Sequence, residues 1–129
     1  MKPINANKTI LVVDDDAMNL KVAQFILEQK GYTVPTVSSG AECLLHLKKK
    51  KVDLILLDVE MPVMNGMKTL ERIREIPEYA KIPVMFLTAD ASKETVISAG
   101  KLDVAGYVKK PYDPQKLLER IEKFFNEDL

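Results

Sequence analysis

The sequence predicts an α/β domain built on a doubly wound, open sheet of five parallel strands with five helices. Three observations predict it. Five short apolar runs alternate with segments of helical spacing, the first, third and fourth runs are almost continuously apolar, and five strands are too few to close an eight-stranded barrel. Alternation at these lengths requires right-handed crossovers between parallel strands. The size agrees with one domain: 129 residues, 47% hydrophobic and 29% charged, suffice for a single core.

Taken in order, the first strand is "TILVV" (9 to 13). The helix after it carries an apolar stripe of Met18, Val22, Ala23, Ile26 and Leu27, and Gly31 stands at its expected stop. "TVPTV" (33 to 37) is the second strand. The second helix, "GAECLLHLKKK", is expected to turn Ala41, Leu44, Leu45 and Leu47 inward. "VDLILL" (52 to 57) is the third strand, and the third helix follows with Met67, Leu70, Ile73 and Ile76 on its apolar side. "IPVMFLT" (82 to 88) is the fourth strand. "SKETVISAGK" is read as a short fourth helix, and "AGYVKK" (105 to 110) as the fifth strand. The terminal helix has the clearest pattern: Asp113 at the N-cap, Pro114 at the first helical position, then Leu117, Leu118, Ile121, Phe124 and Phe125. With no repeat or linker to divide it, the chain is expected to form one domain over 8–129 behind a short tail, 1–7.

Several function classes are disfavoured by composition. Nineteen basic and nineteen acidic residues cancel, so no global field draws the chain to nucleic acid or an anionic membrane. No run reaches the roughly 18 apolar residues of a membrane span, and "MKPINANK" lacks a signal peptide's apolar core. The single cysteine, Cys43, excludes an internal disulfide. The expected location is cytoplasmic, with no direct nucleic-acid binding and no membrane insertion.

In doubly wound sheets, ligands sit beyond the carboxyl ends of the strands. Applied here, that rule gathers Asp14, Asp15 and Asp16 after strand one, Asp58 after strand three, Thr88 after strand four and Lys109 or Lys110 after strand five. Crowded carboxylates raise the cost of ionising one another, so a cation or bulk water must compensate. Oxygen-only ligands suit a hard ion such as Mg²⁺, whereas zinc would want Cys or His. A metal beside a further carboxylate, with a hydroxyl and an amine at hand, points to chemistry on phosphate, with an aspartate oxygen as nucleophile and an acyl phosphate on Asp58 as product.

The stretches "VVDDD", "LLDVEMPVMNG", "FLTAD" and "GYVKKP", in this order, resemble the receiver domain of two-component response regulators, over essentially the whole chain from Lys8. The resemblance implies a flavodoxin-like sheet of order 2-1-3-4-5 and phosphorylation of Asp58 by a histidine kinase or histidine phosphotransfer domain. It implies Mg²⁺ held by Asp14, Asp15, Asp58 and the backbone carbonyl of Glu60. Thr88 and Lys110 would contact the phosphoryl group, and Tyr107 would change rotamer with it. The family's lysine directly precedes a proline, which selects Lys110 and implies a cis bond to Pro111. Alternation agrees, since Val108 and Lys110 point to one side and Tyr107 and Lys109 to the other. The implied output is a shift of the helix four, strand five and helix five face, read by a downstream protein or a fused effector domain; the first helix also resembles receivers fused to hybrid histidine kinases. Asn65 replaces an acid of the common "MPxMDG" loop, which an N-cap position tolerates. Asp103 stands where many members have glycine.

Plainer readings compete at each position. Asp16 is expected simply to cap the first helix, and His46 to be a helix-face residue. The lysines at 48–51 fall in a helix's last turn, where cations complement the dipole. Glu60 and Asp90 should line the rim of the pocket. Two other classes remain open on the residues alone. An aspartyl-phosphate phosphatase or mutase would resemble "DxD" around the nucleophile, where this chain has "DVE". A flavodoxin-like module holding FMN would want Ser, Thr and Gly after strand one, where three aspartates would repel phosphate.

Overall fold

The computed structural model describes residues 8–89 and 104–126. The N-terminal tail, Asp90, the predicted fourth helix and Asp103 lie outside them. The described elements run β1 (Ile10–Val13), α1 (Ala17–Glu28), β2 (Thr36–Val37), α2 (Gly40–Lys49), β3 (Leu54–Asp58), α3 (Gly66–Glu75), β4 (Val84–Thr88), β5 (Gly106–Lys109) and, at the carboxyl end, α4 (Pro114–Asn126). All strand pairs are parallel, in the order β2-β1-β3-β4-β5. This is the flavodoxin-like sheet.

Strand alternation divides the core in two. Ile10, Val12, Leu54, Leu56, Met85 and Leu87 face one side, where Ala23 and Leu27 of α1 and Leu117, Ile121 and Phe125 of α4 cover them. Leu11, Val13, Ile55, Leu57, Val84 and Phe86 face the other, beneath Cys43 and Leu47 of α2 and Leu70 and Ile73 of α3. Both faces are dry. That is why β1, β3 and β4 read as continuous apolar runs. The second strand is shorter than its apolar run: only Thr36 and Val37 form a ladder, with an isolated bridge from Thr33 to Thr9. Pro35 has no N–H to give, and its carbonyl accepts from Val12 instead, so the run survives as a sheet edge.

Caps fix where each helix begins. Asp16 Oδ1 accepts from the N–H groups of Met18 and Asn19, Asn65 Oδ1 from Lys68, and Asp113 Oδ1 from Gln115 and Lys116. Ser39 caps α2 by accepting from the Glu42 N–H, while the Glu42 carboxylate reaches back to the Ser38 N–H. This variant of a capping box is legible in the sequence as Ser39-x-x-Glu42.

Two expected stripes are corrected. Met18 and Val22 are exposed, as is Phe25 at 66%, and α1 buries only Ala23, Ile26 and Leu27. Met18 lies about 140° around the helix from Ala23, so apolar residues occupy both sides and periodicity alone could not choose between them. In α2, Ala41 and Leu45 face solvent while Cys43 and Leu47 go inward. Cys43 and Leu47 are one turn apart, and Leu45 lies about 200° from Cys43. Burial pushes the Cys43 thiol up to about 12, which leaves it a small core residue.

Candidate functional site

Parity along the strands brings the chemistry to one rim. Asp14 continues the register of Ile10 and Val12, and Asp58 that of Leu54 and Leu56, so both carboxylates leave the sheet on the α1/α4 side. Val108 belongs to the same side, and Lys110 follows it. Asp14 is fully buried and Asp58 is 3% exposed. Lys110 Nζ bridges them, 2.7 Å from Asp14 Oδ2 and 3.2 Å from Asp58 Oδ1. The Lys110–Pro111 peptide bond is cis.

Backbone donors complete the cradle. The Asp16 N–H donates to Asp14 Oδ1 at 2.9 Å, and the Glu60 N–H to Asp58 Oδ1 at 3.2 Å. Gly66 permits the second of these turns. Its N–H donates to the Val59 carbonyl at 2.8 Å, and a Cβ at that position would collide with the Asp58 carbonyl oxygen. Any larger residue would push the start of α3 off the strand that carries Asp58.

Electrostatics at the rim are opposed. Burial first, and then the neighbouring Asp14 charge, push the Asp58 carboxyl up to about 6, while Lys110 and the Glu60 N–H pull against them. For Lys110, burial lowers the ammonium's affinity for its proton, but the contacts with Asp14 and Asp58 outweigh it and the net shift is upward. Carboxylate oxygens of Asp14, Asp15 and Asp58 all lie within 4.8 Å of one another, with Asp15 exposed toward solvent. Two oxygens sharing a Mg²⁺ ion at about 2.1 Å each are at most about 4.2 Å apart, so a small closure suffices. The donor set therefore fits a hard divalent cation, and Asp14 Oδ2, buried with no hydrogen bond of ordinary geometry, has an acceptor site to give.

The remaining candidates take the positions that topology dictates. Thr88 ends β4, 2% exposed, and its carbonyl accepts from the Lys110 N–H at 2.9 Å. Its side chain follows the parity of Val84 and Phe86, toward the α2/α3 side. Tyr107 pairs with Phe86 across β4 and β5 and stacks on it, with ring centroids 6.2 Å apart, so Thr88 and Tyr107 share a face. Lys109 is exposed, unlike Lys110. Asp16 is exposed and capping α1, outside the carboxylate cluster. His46 lies on α2, where burial and then Lys50 and Lys49 lower its pKa. Sequence reasoning gave no place to Tyr112, whose ring packs on the α1/α4 core and whose hydroxyl is buried beside these acids.

Comparison with known proteins agrees with this geometry. The family model for the response regulator receiver domain matches residues 10–122. The chain is 34% identical over 119 residues to a probable transcriptional regulator, ycf29, of Porphyra purpurea, covering 92% of this chain but 57% of that protein's length. It is 33% identical to the chemotaxis protein CheY-3 of Vibrio cholerae, with 95% of each chain covered. Among solved structures, the receiver domain of sensor histidine kinase PA1611 from Pseudomonas aeruginosa superposes with a TM-score of 0.83 at 26% identity, covering 94% of this chain and 99% of that one. That structure has a magnesium ion coordinated in its active site cleft. The match over nearly all of its length, on a sheet of the same order, means that this chain belongs to the response regulator receiver domain family, the phosphorylation-dependent signalling switches of two-component systems.

Proposed function

We propose that Asp58 is the phosphoacceptor, taking its phosphoryl group from a histidine kinase or a histidine phosphotransfer domain. The observation that carries this reading is a carboxylate held at the rim with one oxygen fixed by Lys110 and the Glu60 N–H. In the transfer, an Asp58 oxygen forms the new P–O bond while the donor's P–N bond breaks, and the imidazole leaves with that electron pair and picks up a proton. Lys110, bridging two acids in the resting state, is placed to release them and meet the incoming negative oxygens. Asp14, Asp15 and Asp58, with the Glu60 carbonyl, would hold Mg²⁺, which when bound supplies charge neutralisation for the phosphoryl oxygens. Thr88, buried at the end of β4, would contact the phosphoryl group together with Lys110. Such a domain turns over no substrate of its own beyond this modification and its hydrolysis.

The added charge, about −1.5 to −2, favours whichever conformation brings Thr88 closer to it, and Tyr107, stacked on the same face, follows. The readout surface lies along β5 and α4. A groove of about 600 Å³ there is lined by residues that include Tyr107, Lys116, Leu117 and Arg120 together with Asp113 and Glu119, a mixed apolar and charged surface with cations in excess, suited to a protein partner or a fused effector domain. No helix among the described residues is long and apolar enough to cross a membrane.

Mass spectrometry after incubation with acetyl phosphate and Mg²⁺ tests the assignment. Wild type is expected to gain one phosphoryl group that peptide mapping places on Asp58, and Asp58→Asn to gain none there. Labelling elsewhere in wild type would overturn the assignment.

A further inference from the structure

Tyr112 is the buried polar group that the proposed mechanism leaves unused. Its ring packs against the α1/α4 core, which fixes where the hydroxyl can go. That oxygen is buried, and no described residue completes a hydrogen bond of ordinary geometry with it. Leaving a hydroxyl so placed unpaired costs about 1–3 kcal/mol, and buried tyrosines nearly always find an acceptor. The acids of the rim are its surroundings, with the Asp14 carboxylate adjacent to it, and a phenol, whose ordinary pKa is about 10, is a proton donor at neutral pH. Asp14 has a matching vacancy. Its Oδ1 is taken by the Asp16 N–H, whereas Oδ2 is buried, contacts Lys110 Nζ and completes no hydrogen bond of ordinary geometry.

We propose that the Tyr112 hydroxyl donates to Asp14 Oδ2, making Tyr112 a positioning residue for the cation site. A carboxylate held from both ends, by the Asp16 N–H and by the phenol, keeps its remaining lone pairs aimed at the space shared with Asp15 and Asp58. The donor is neutral. It orients Asp14 without contributing a positive charge that would compete with the metal, which separates its role from that of Lys110. Groups that orient a ligating carboxylate in this way typically change metal affinity by about 10–100-fold when removed. The inference rests on the reading of the acidic cluster as a Mg²⁺ site.

Tyr112→Phe is the discriminating variant, because it keeps the ring that packs on the core and removes only the oxygen. Titration calorimetry with Mg²⁺ is expected to show binding by wild type and about tenfold weaker binding by Tyr112→Phe. Proton NMR of the metal-free protein supplies a readout that ring packing would not move: a slowly exchanging tyrosine hydroxyl resonance, missing in Tyr112→Phe and displaced in Asp14→Asn. If wild type binds Mg²⁺ and Tyr112→Phe binds it equally well or better, the role of Tyr112 is overturned and the metal site stands. If folded wild type takes up no Mg²⁺, both readings fall together.

Discussion

The middle and the end of the same two strands bury their side chains equally and for opposite reasons. Val12 and Leu56 are paired in register and fully buried; two residues further on, Asp14 is as buried as Val12, and Asp58 nearly as buried as Leu56. Burying a leucine gains about 1.5–3 kcal/mol relative to leaving it exposed. Burying a carboxylate costs free energy unless it is paired, and at this rim one ammonium serves two acids. The apolar stretch is what forces the carboxylates together, and the cost of that proximity is what a bound cation would offset.

The largest effect expected from this contrast is in the middle of the strand. Leu56→Ala removes a fully buried side chain from the core beneath α1 and α4 and should cost about 2–5 kcal/mol in urea unfolding. A loss below about 1 kcal/mol would mean that the core closes over the cavity and contributes less rigidity than its burial suggests.

Two residues away, the sign should reverse. The Asp58 carboxyl titrates near 6 in the folded chain, above its unfolded value of about 3.9. The folded state then holds the proton more tightly, so stability is highest below about pH 4 as far as this group is concerned and is lost as pH rises through 6. Asp58→Asn should therefore be more stable than metal-free wild type above pH 6, by on the order of 2 kcal/mol, with the advantage vanishing toward pH 4. Mg²⁺ affinity should run the other way, weakening by about tenfold per pH unit below 6, because the ion must displace that proton. Urea melts in chelator at pH 7.5 and 4.5, paired with Mg²⁺ titrations over the same range, check both. An Asp58→Asn protein less stable than wild type at pH 7.5 would show that Lys110 stabilises the pair beyond what burial and Asp14 take away.

How much of this was legible beforehand follows the same division. Strands β1, β3 and β4 and the residues at their carboxyl ends could be read directly, because a strand has only two faces and continuous apolarity says that both are covered. That a parallel sheet gathers strand ends at one rim then placed Asp14, Asp58 and one of Lys109 and Lys110 together, and the family resemblance chose Lys110, the lysine that bridges the two acids. Helix faces were read less well. Met18, Val22 and Phe25 put apolar residues on the exposed side of α1, and Leu45 does so on α2, so apolarity marked more than one face of each helix. Tyr112 was missed for a different reason: it follows the last strand and looks like one more apolar residue before the helix, and only the packing of its ring reveals where its hydroxyl lies.

The smallest expected effect divides the acidic run itself. Asp14 is buried in the cluster, Asp15 reaches it from solvent, and Asp16 belongs to α1, where Oδ1 accepts from Met18 N–H at 2.8 Å and Asn19 N–H at 3.3 Å. Asp16→Ala removes that cap and should cost about 1 kcal/mol, whereas Asp16→Asn keeps an acceptor in place and should change stability by a few tenths at most. Neither should weaken Mg²⁺ binding as much as Asp15→Asn, since Asp16 offers no oxygen to the shared space. Three adjacent carboxylates would then separate into a buried one, an exposed one and a helix cap. An Asp16→Asn protein that lost Mg²⁺ affinity as fully as Asp15→Asn would show instead that the whole run acts through its summed charge, and that burial does not decide which acid does what.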